Sequence, residues 1–297
     1  MTVRAPTQGD LEGVLELLAA SDLVDIGIPD TTLEDLREDW DRPGFALERD
    51  AWVVEENGRL VAYAWLWERD VGKPLAVGCV LPQARGCGIG SELVRLAEER
   101  AREKGASLLA EYAWSDTARR LLEGCRYHHA RTYFRMAIDL VEEPPAPVWP
   151  PGVILRPFGL GKDDAPVYEA MNDAFADEWG FTPEPFDRWR ERHLGREEFD
   201  AGLWLIARDG EEIAGCALSG LYEDGAFIHG IGVRPPWRRR GLGRALLVAS
   251  FGEFHRRGAG RVALSVDAAN PTGATRLYEL AGMRVLFRFD RYEKTLS

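Results

Sequence analysis

Two kinds of hydrophobic pattern alternate along the chain. Short, largely apolar runs such as residues 60–67 and 227–233 predict β-strands that are buried on at least one face. In residues 89–104 and 242–257, apolar positions recur at spacings of three and four, which predicts long helices with one buried face. Because the two patterns alternate from one end to the other, the sequence predicts a mixed α/β fold.

The predicted elements follow the same order in each half of the chain. In the first half, strands are predicted over 2–7, 52–56, 60–67, 75–80, 108–112 and 133–140, and helices over 10–20, 89–104 and 117–123. In the second half, strands are predicted over 154–157, 204–208, 213–219, 227–233, 262–266 and 284–294, and helices over 167–175, 242–257 and 273–280. This repetition indicates a duplicated domain.

Local sequence supports the duplication. Residues 80–93 align without gaps on residues 233–246, with an offset of 153 residues between Val80 and Val233. Asn57-Gly58 and Asp209-Gly210 each predict a type I′ turn between two strands. Residues 142–152 contain five prolines in eleven positions, which is incompatible with a helix or a central strand. The sequence therefore predicts domains at 1–141 and 153–297, joined by a proline-rich linker at 142–152.

Composition narrows the functional classes. The 297 residues carry a formal net charge of -12, which disfavours nucleic acid or an anionic membrane as a partner and suits a cationic small molecule. Neither a signal peptide nor a membrane span is visible, so we expect a cytoplasmic protein. The four cysteines lack C-x-x-C spacing and predict reduced, mostly buried thiols, and we expect no metal site. The sequence does not predict an oligomeric state.

Both halves contain a glycine-rich turn between a strand and a long helix. Such a turn presents backbone N–H groups together with the positive end of the helix, an arrangement suited to a diphosphate. Neither turn has the lysine of a P-loop or the third glycine of a dinucleotide fingerprint. A turn used only for tight packing is the alternative, and its occurrence twice in matching order favours the anion site.

The pattern R-x-x-G-x-G occurs at residues 85–90 and 238–243, each time after a V-x-P strand end. It resembles the acetyl-CoA-binding motif of the GCN5-related N-acetyltransferase (GNAT) superfamily. Residues 270–283 are similar to a second superfamily segment, N-x-x-A-x-x-L-Y-x-x-x-G-[FM]. The resemblance covers nearly the whole chain as two tandem acyl-CoA N-acyltransferase domains. The two-domain layout is similar to that of the mycothiol synthases, in which the second domain is the active one.

The resemblance implies roles for individual residues. The backbone of Ile231, Gly232 and Val233 would hold the acetyl carbonyl and the pantetheine arm, and Asn270 would contact that arm. Tyr278 would protonate the leaving thiolate, although a core tyrosine with a bonded hydroxyl is the alternative. The diphosphate would lie against Arg238, Arg239, Arg240, Gly241, Leu242 and Gly243, and the matching positions of the first half are Val80, Arg85, Gly86, Gly88 and Gly90.

The general base is less well defined by the sequence. His229 lies on the strand before the turn, where many relatives place an acidic residue, and Glu223 lies just upstream. A structural histidine, a solvated turn and a water chain are the alternatives. Asp173, Asp177, Glu178 and Trp179 follow the first helix of the second half and could form an acidic rim for an amine or a solvated helix end.

The two halves differ at the position of the phenol. Aligning Ala118 with Ala274 places Leu122 where the second half has Tyr278. Because leucine cannot donate a proton, we expect catalysis only in the second half. The predicted function is transfer of acetyl from acetyl-CoA to a small-molecule primary amine by direct attack in a ternary complex. A non-catalytic acyl-CoA sensor is the alternative.

Overall fold

The computed structural model describes residues 1–42, 44–70, 73–195, 199–222 and 225–296. The chain folds as two compact units. Unit 1 comprises Met1–Thr132 together with Phe289–Ser297, and unit 2 comprises Tyr133–Arg288. Both contain a mixed sheet with helices, which confirms the predicted α/β class.

Unit 1 is built on a sheet in the order β1-β2-β3-β4-β5-β12, in which β4 and β5 run parallel and the other described neighbours run antiparallel. Its strands are β1 (Thr2–Arg4), β2 (Ala51–Glu56), β3 (Arg59–Asp70), β4 (Lys73–Val80), β5 (Leu108–Ala113), the first residues of β6 (His128–Asp139) and the last residues of β12 (Arg284–Thr295). Its helices are α1 (Leu11–Asp25), α2 (Leu33–Asp41), α3 (Leu47–Asp50), α4 (Ile89–Glu103) and α5 (Asp116–Gly124).

Unit 2 repeats this plan with the strand order β7-β8-β9-β10-β11-β6, and β10 and β11 are its parallel pair. Its further strands are β7 (Val153–Pro157), β8 (Leu205–Asp209), β9 (Glu212–Tyr222), β10 (Gly225–Val233) and β11 (Arg261–Asp267). Its helices are α6 (Asp164–Phe175), α7 (Phe186–Leu194), α8 (Leu242–Arg256) and α9 (Ala274–Leu280).

The closing strand of each unit comes from the other half of the sequence. In unit 1, residues 290–295 of β12 pair antiparallel with residues 108–113 of β5. In unit 2, residues 133–139 of β6 pair antiparallel with residues 261–267 of β11. The compact units therefore differ from contiguous sequence segments in their last strands, and the domain bounds 1–141, 142–152 and 153–297 stay a prediction.

Most predicted elements are present, with ends that differ by a few residues. The structure adds α2, α3 and α7, which the pattern analysis missed. Helix α2 begins with a capping box in which Thr32 and Asp35 bond reciprocally, a signal readable from the sequence. Strand β6 begins five residues before the predicted position.

The type I′ turn predicted at Asp209-Gly210 is wrong. Asn57 and Gly58 both have positive φ, as type I′ requires, but Asp209 pairs with Glu212 and only Gly210 has positive φ. The loop is therefore Gly210-Glu211, which keeps the offset of the duplication. The expectation of mostly buried thiols is also wrong, because Cys216 is buried, Cys87 is exposed, and Cys79 and Cys125 are half-buried.

Helix α8 packs its apolar face on the sheet of unit 2. Leu242, Leu246, Phe251 and Phe254 are each at most 2% exposed, and full burial of such a side chain contributes about 1.5–3 kcal/mol. A Cβ atom on Gly215 of β9 would lie 2.6 Å from the carbonyl oxygen of Gly232. This packing fixes the first turn of α8 beside the end of β10.

Candidate functional site

Strands β10 and β11 of unit 2 diverge. Their parallel pairing ends at Ile228 and Leu264. The pairing of β10 with β9 shifts register between Ile228 and Gly230, which identifies a β-bulge at His229. Beyond the bulge, residues 230–233 stay paired with β9 alone among the described residues. The backbone edge of this segment therefore faces an opening between β10 and β11, here called the fork.

Glycines bring helix α6 close to one face of the fork. A Cβ atom on Gly232 would lie 2.8 Å from the Cβ of Ala174 and 2.9 Å from the Sδ of Met171. A Cβ atom on Gly230 would lie 3.0 Å from the Cε of Met171. A larger residue at position 232 would therefore push against Ala174 and displace α6, whereas one at position 230 would require the end of the Met171 side chain to shift. The side chains of Ile231 and Val233 instead pack into hydrophobic clusters of the unit.

A tight turn leads from β10 into α8. A short 3₁₀ turn over Pro235–Trp237 is followed by Arg239 with φ of +62° and Gly241, the N-cap of α8, with φ of +87°. Gly241 has no side chain to cap the helix, and Ala245 N–H is the first to bond within it, to the Gly241 carbonyl. The N–H groups of residues 242–244 therefore point out of the helix end, as an anion site requires.

The side chain of Arg238 forms its hydrogen bonds within the protein. Its Nε donates to the carbonyl oxygen of Val233 over 3.1 Å, and its Nη2 donates to the carbonyl oxygen of Ala174 over 3.1 Å. Its Nη1 lies 2.6 Å from Oδ2 of Asp177. Arg238 thus fastens the turn to the end of α6. Because its donors bond protein atoms, it supports an anion site by shaping the turn more than by donating hydrogen bonds to the anion.

Two other arginines of the turn are exposed. Arg239 and Arg240, together with Arg244 in the first turn of α8, form a group here called the basic triplet. Within the described part of the chain, none of the three is joined to a carboxylate. In a protein with a net charge of -12, this concentrates free positive charge at the open end of α8.

The second glycine position of the R-x-x-G-x-G motif serves packing. A Cβ atom on Gly243 would lie 3.2 Å from Cδ1 of Leu277 in α9. In unit 1, a Cβ atom on Gly90 would lie 2.7 Å from Cδ2 of Leu121 in α5. Gly90 and Gly243 thus allow close helix contact, whereas Gly88 and Gly241 allow the left-handed backbone.

Tyr278 is the buried residue of α9 and is only 9% exposed. Burial, with a smaller contribution from the Glu178 carboxylate, raises its pKa to about 12. Among the described residues, its hydroxyl makes no hydrogen bond. The alternative predicted from the sequence, a phenol bonded within the core, is therefore absent from the described structure.

Asn270 joins the segment after α6 to the start of α9. Its Nδ2 donates to Oε1 of Glu178 over 3.0 Å, and its Oδ1 accepts from the backbone N–H of Thr272 over 2.9 Å. Glu178 is half-buried, and burial raises the pKa of its carboxyl. Nearby Asp267 raises this pKa further, whereas the bond from Asn270 lowers it.

The other acidic candidates are engaged elsewhere. Asp177 pairs with Arg238, and Asp173 pairs with Arg234 at 2.8 Å. His229 is exposed, and its Nε2 lies 2.8 Å from the hydroxyl of Tyr222. Glu223, the second candidate base, lies outside the described residues.

Unit 1 repeats the backbone frame of the site but differs in its side chains. Within the described ranges, β4 and β5 pair at Leu75 and Ala76. Gly88 caps α4 with φ of +86°, and Arg85 donates to the Val80 carbonyl over 2.9 Å. The positions of the basic triplet are held by Gly86, Cys87 and Ser91, and the buried residue of α5 is Leu122.

The comparisons with known proteins agree with this geometry. The profile of the Acetyltransferase (GNAT) family matches residues 15–125 and again 165–283. A mycothiol acetyltransferase of Thermobispora bispora is 34% identical over 95% of this chain and 96% of its own length. One from Catenulispora acidiphila is 27% identical over 94% of each chain.

Solved structures share the fold over the full length. A GCN5-related N-acetyltransferase from Sphaerobacter thermophilus is 36% identical and superposes with a TM-score of 0.88, covering 99% of this chain and 95% of its own. A tandem GNAT protein from the clavulanic acid biosynthesis pathway shares the fold with a TM-score of 0.76 at 19% identity, covering 99% and 97%. None of the described helices is long and apolar enough to cross a membrane. With two profile matches and relatives aligned from end to end, this chain belongs to the GNAT acetyltransferase family and is an acetyl-CoA-dependent acetyltransferase.

Proposed function

We propose that unit 2 transfers the acetyl group of acetyl-CoA to the primary amine of a small molecule by direct attack in a ternary complex. The observation that carries this proposal is the buried phenol of Tyr278, whose hydroxyl has no partner among the described residues. A general acid needs a proton that is not already committed to another acceptor, and this hydroxyl meets that condition.

The residues around the fork fit acetyl-CoA. The unpaired edge of residues 230–233 suits an extended amide-bearing arm, because such an arm can add to a strand by backbone hydrogen bonds. The helix end at Gly241 suits a diphosphate, and a Cβ atom there would find nothing within 4 Å. The basic triplet supplies further positive charge. A backbone N–H near Val233 would stabilise the oxyanion, an effect of about 3 kcal/mol per donor.

Tyr278 would protonate the sulfur that leaves the acetyl group. Its raised pKa of about 12 keeps the phenol protonated at neutral pH, so the proton is present when it is needed. General acid catalysis of this kind typically contributes a hundredfold or more.

Unit 1 is proposed to be non-catalytic. Leu122 at the position of Tyr278 has no proton to give. In the first turn of α4, Glu92 is paired with Arg95 at 2.6 Å, and the positions of the basic triplet hold no arginine, so this helix end lacks the free positive charge of unit 2. We therefore assign catalysis to the sequence module 153–297 and a structural or binding role to the module 1–141.

The acceptor is proposed to be a small amine. The relatives named above are mycothiol acetyltransferases, so mycothiol-related amino sugars come first in a panel of acceptors. Polyamines, amino acids and aminoglycosides complete the panel.

The test measures CoA release from acetyl-CoA across this panel, together with acetyl-CoA binding by calorimetry. Tyr278→Phe is expected to lower kcat about a hundredfold while leaving acetyl-CoA affinity unchanged. Tyr168→Phe is the matched control, because Tyr168 lies in α6 and its hydroxyl donates to the carbonyl of Glu184, which follows α6. This variant should leave kcat within twofold. Tight acetyl-CoA binding without release with any amine would favour the sensor. Full activity of Tyr278→Phe would remove the phenol from the mechanism.

A further inference from the structure

We propose that Glu178 is the general base of unit 2, taking the proton of the acceptor amine at its Oε2 atom while Asn270 holds its Oε1 atom. This assignment rests on the proposed function and identifies a group that the sequence placed only in a possible acidic rim.

The position of Glu178 is fixed by contacts on both sides. Its backbone N–H donates to the Phe175 carbonyl over 2.9 Å, and its carbonyl accepts from Phe181 N–H over 3.2 Å. These bonds hold the segment after α6 in a compact turn. The bond from Nδ2 of Asn270 to Oε1, at 3.0 Å, then orients the carboxylate from the turn that precedes α9. One oxygen is held and the other remains for a ligand.

The charges around Glu178 locate it at the mouth of the fork. Its carboxylate interacts with Asp267, the last residue of β11, and with Arg238, which follows β10. It also interacts with Tyr278 on α9. Contacts agree with this position: the N–H of Glu178 bonds the carbonyl of Phe175, whose ring carbon Cε2 would lie 3.4 Å from a Cβ atom on Gly232 of β10. The segment that carries Glu178 therefore borders the fork. Asp177, the adjacent carboxylate, is held by Arg238.

Burial gives Glu178 the basicity that the role needs. Desolvation raises the pKa of the carboxyl above its ordinary value, which makes the carboxylate a better proton acceptor. By comparison, His229 is exposed and hydrogen-bonded to the Tyr222 hydroxyl.

The two groups together balance the protons of the reaction. As the amine nitrogen forms its bond to the acetyl carbon, the carboxylate of Glu178 takes a proton from nitrogen. As the carbon–sulfur bond breaks, Tyr278 gives its proton to sulfur. A phenolate beside a carboxylate is disfavoured, but Glu178 is neutral at that moment. Its proton then returns to the phenolate, so both groups are reset and the amine proton has in effect moved to sulfur.

The experiment compares Glu178→Gln with Glu169→Gln in the full chain, using the best amine of the panel. Glu169 lies exposed on α6, so the control makes the same chemical change nearby. Glu178→Gln is expected to lower kcat by a factor of about 10² or more with acetyl-CoA affinity within twofold. In the unmodified enzyme, kcat/KM should fall at acidic pH as Glu178 becomes protonated, which gives the profile an acidic limb. In Glu178→Gln this fall should disappear, and the remaining pH dependence should be that of the amine. Glu178→Asp, which keeps a carboxyl, should keep that limb at a reduced rate.

A second variant tests the orientation. Asn270→Ala removes a bond that favours the charged carboxylate, so the acidic limb of kcat at saturating acetyl-CoA should move to higher pH. If Tyr278→Phe is impaired while Glu178→Gln keeps the rate and the acidic limb of the unmodified enzyme, the assignment of Glu178 is wrong and the proposed function stands. If the unmodified enzyme releases no CoA with any amine, the proposed function itself fails.

Discussion

Arg238 lies with its Nη1 atom 2.6 Å from Oδ2 of Asp177 and thereby ties the turn before α8 to the end of α6. Unit 1 repeats this contact, since Nη1 and Nη2 of Arg85 each lie 2.8 Å from a carboxylate oxygen of Asp25 at the end of α1. In both units, the Nε of the same arginine bonds the carbonyl at the end of the preceding strand. The arginine that marks the motif in the sequence is therefore a clamp that holds the turn in shape.

The clamp predicts a loss of stability when Arg238 is replaced. Arg238→Ala should lower the free energy of unfolding by roughly 1–3 kcal/mol, because it removes three hydrogen bonds and leaves Asp177 unpaired. Acetyl-CoA affinity should fall along with it. Arg256→Ala is the control, since its exposed pair with Glu253 should change stability by less than about 0.5 kcal/mol. Weaker acetyl-CoA binding with unchanged denaturation would mean that Arg238 contacts the phosphates directly.

Two glycines of α8, one at its N-cap and one inside the helix, should respond in opposite directions to replacement by alanine. Gly241→Ala introduces a Cβ at φ of +87° and should destabilise the protein by about 1–2 kcal/mol while weakening acetyl-CoA binding. Gly252 lies inside the helix with nothing within 4 Å of an added Cβ, so Gly252→Ala should stabilise by about 0.5–1 kcal/mol. Thermal denaturation of the two variants checks both signs. Equal effects would contradict the left-handed geometry at the N-cap.

The basic triplet predicts a salt-dependent affinity for acetyl-CoA. Replacing Arg239, Arg240 or Arg244 by Ala should raise Kd roughly threefold to tenfold each, because free positive charge is lost beside the phosphates. The dependence of Kd on ionic strength should weaken in parallel. Arg37→Ala, at an exposed position of α2, changes the net charge equally and should leave Kd unaltered. Identical shifts in Kd for Arg37→Ala and the triplet variants would mean that only overall charge matters.

Unit 1 contains a buried carboxyl that should make stability depend on pH. Burial raises the pKa of Glu111 to about 8, and the groups that face it are Glu98, Cys125, Tyr127 and Lys294. A carboxyl with a raised pKa in the folded state holds its proton more tightly there than in the unfolded chain. Its stabilising effect is therefore complete below the ordinary pKa of about 4.5 and is lost as the pH rises through about 8.

The measurement compares Glu111→Gln with the unmodified protein. Between about pH 4.5 and 8, the free energy of unfolding of the unmodified protein should fall by roughly 2–5 kcal/mol relative to the variant. Glu55→Gln is the control, because Glu55 is a partly exposed residue of β2. This variant should leave the pH dependence of the free energy of unfolding unchanged. If the free energy of unfolding varied with pH in the same way for the unmodified protein and Glu111→Gln, the pKa of Glu111 would not be raised in the folded state.

Local sequence predicted those parts of the site that depend on local geometry. The turn around Gly241 and the position of Tyr278 on α9 are encoded within a few residues, so a motif suffices to place them. The relation of Glu178 to Asn270 spans 92 positions and depends on how α6 ends and α9 begins. Burial and neighbouring charge, which set the pKa of Glu178, cannot be read from spacing. Helix α7 was missed because its polar composition leaves Trp189 as its one buried residue.

The exchange of closing strands affects the order in which the molecule can be completed. Domains usually fold in the order of synthesis, the N-terminal one first. Here the sheet of unit 1 lacks the strand beside β5 until residues 290–295 have been translated, long after residue 132. Unit 2, in contrast, has its own closing strand from residue 133 onward. The half made first is thus the half finished last, and nascent chains halted before residue 290 would carry β5 as a bare sheet edge.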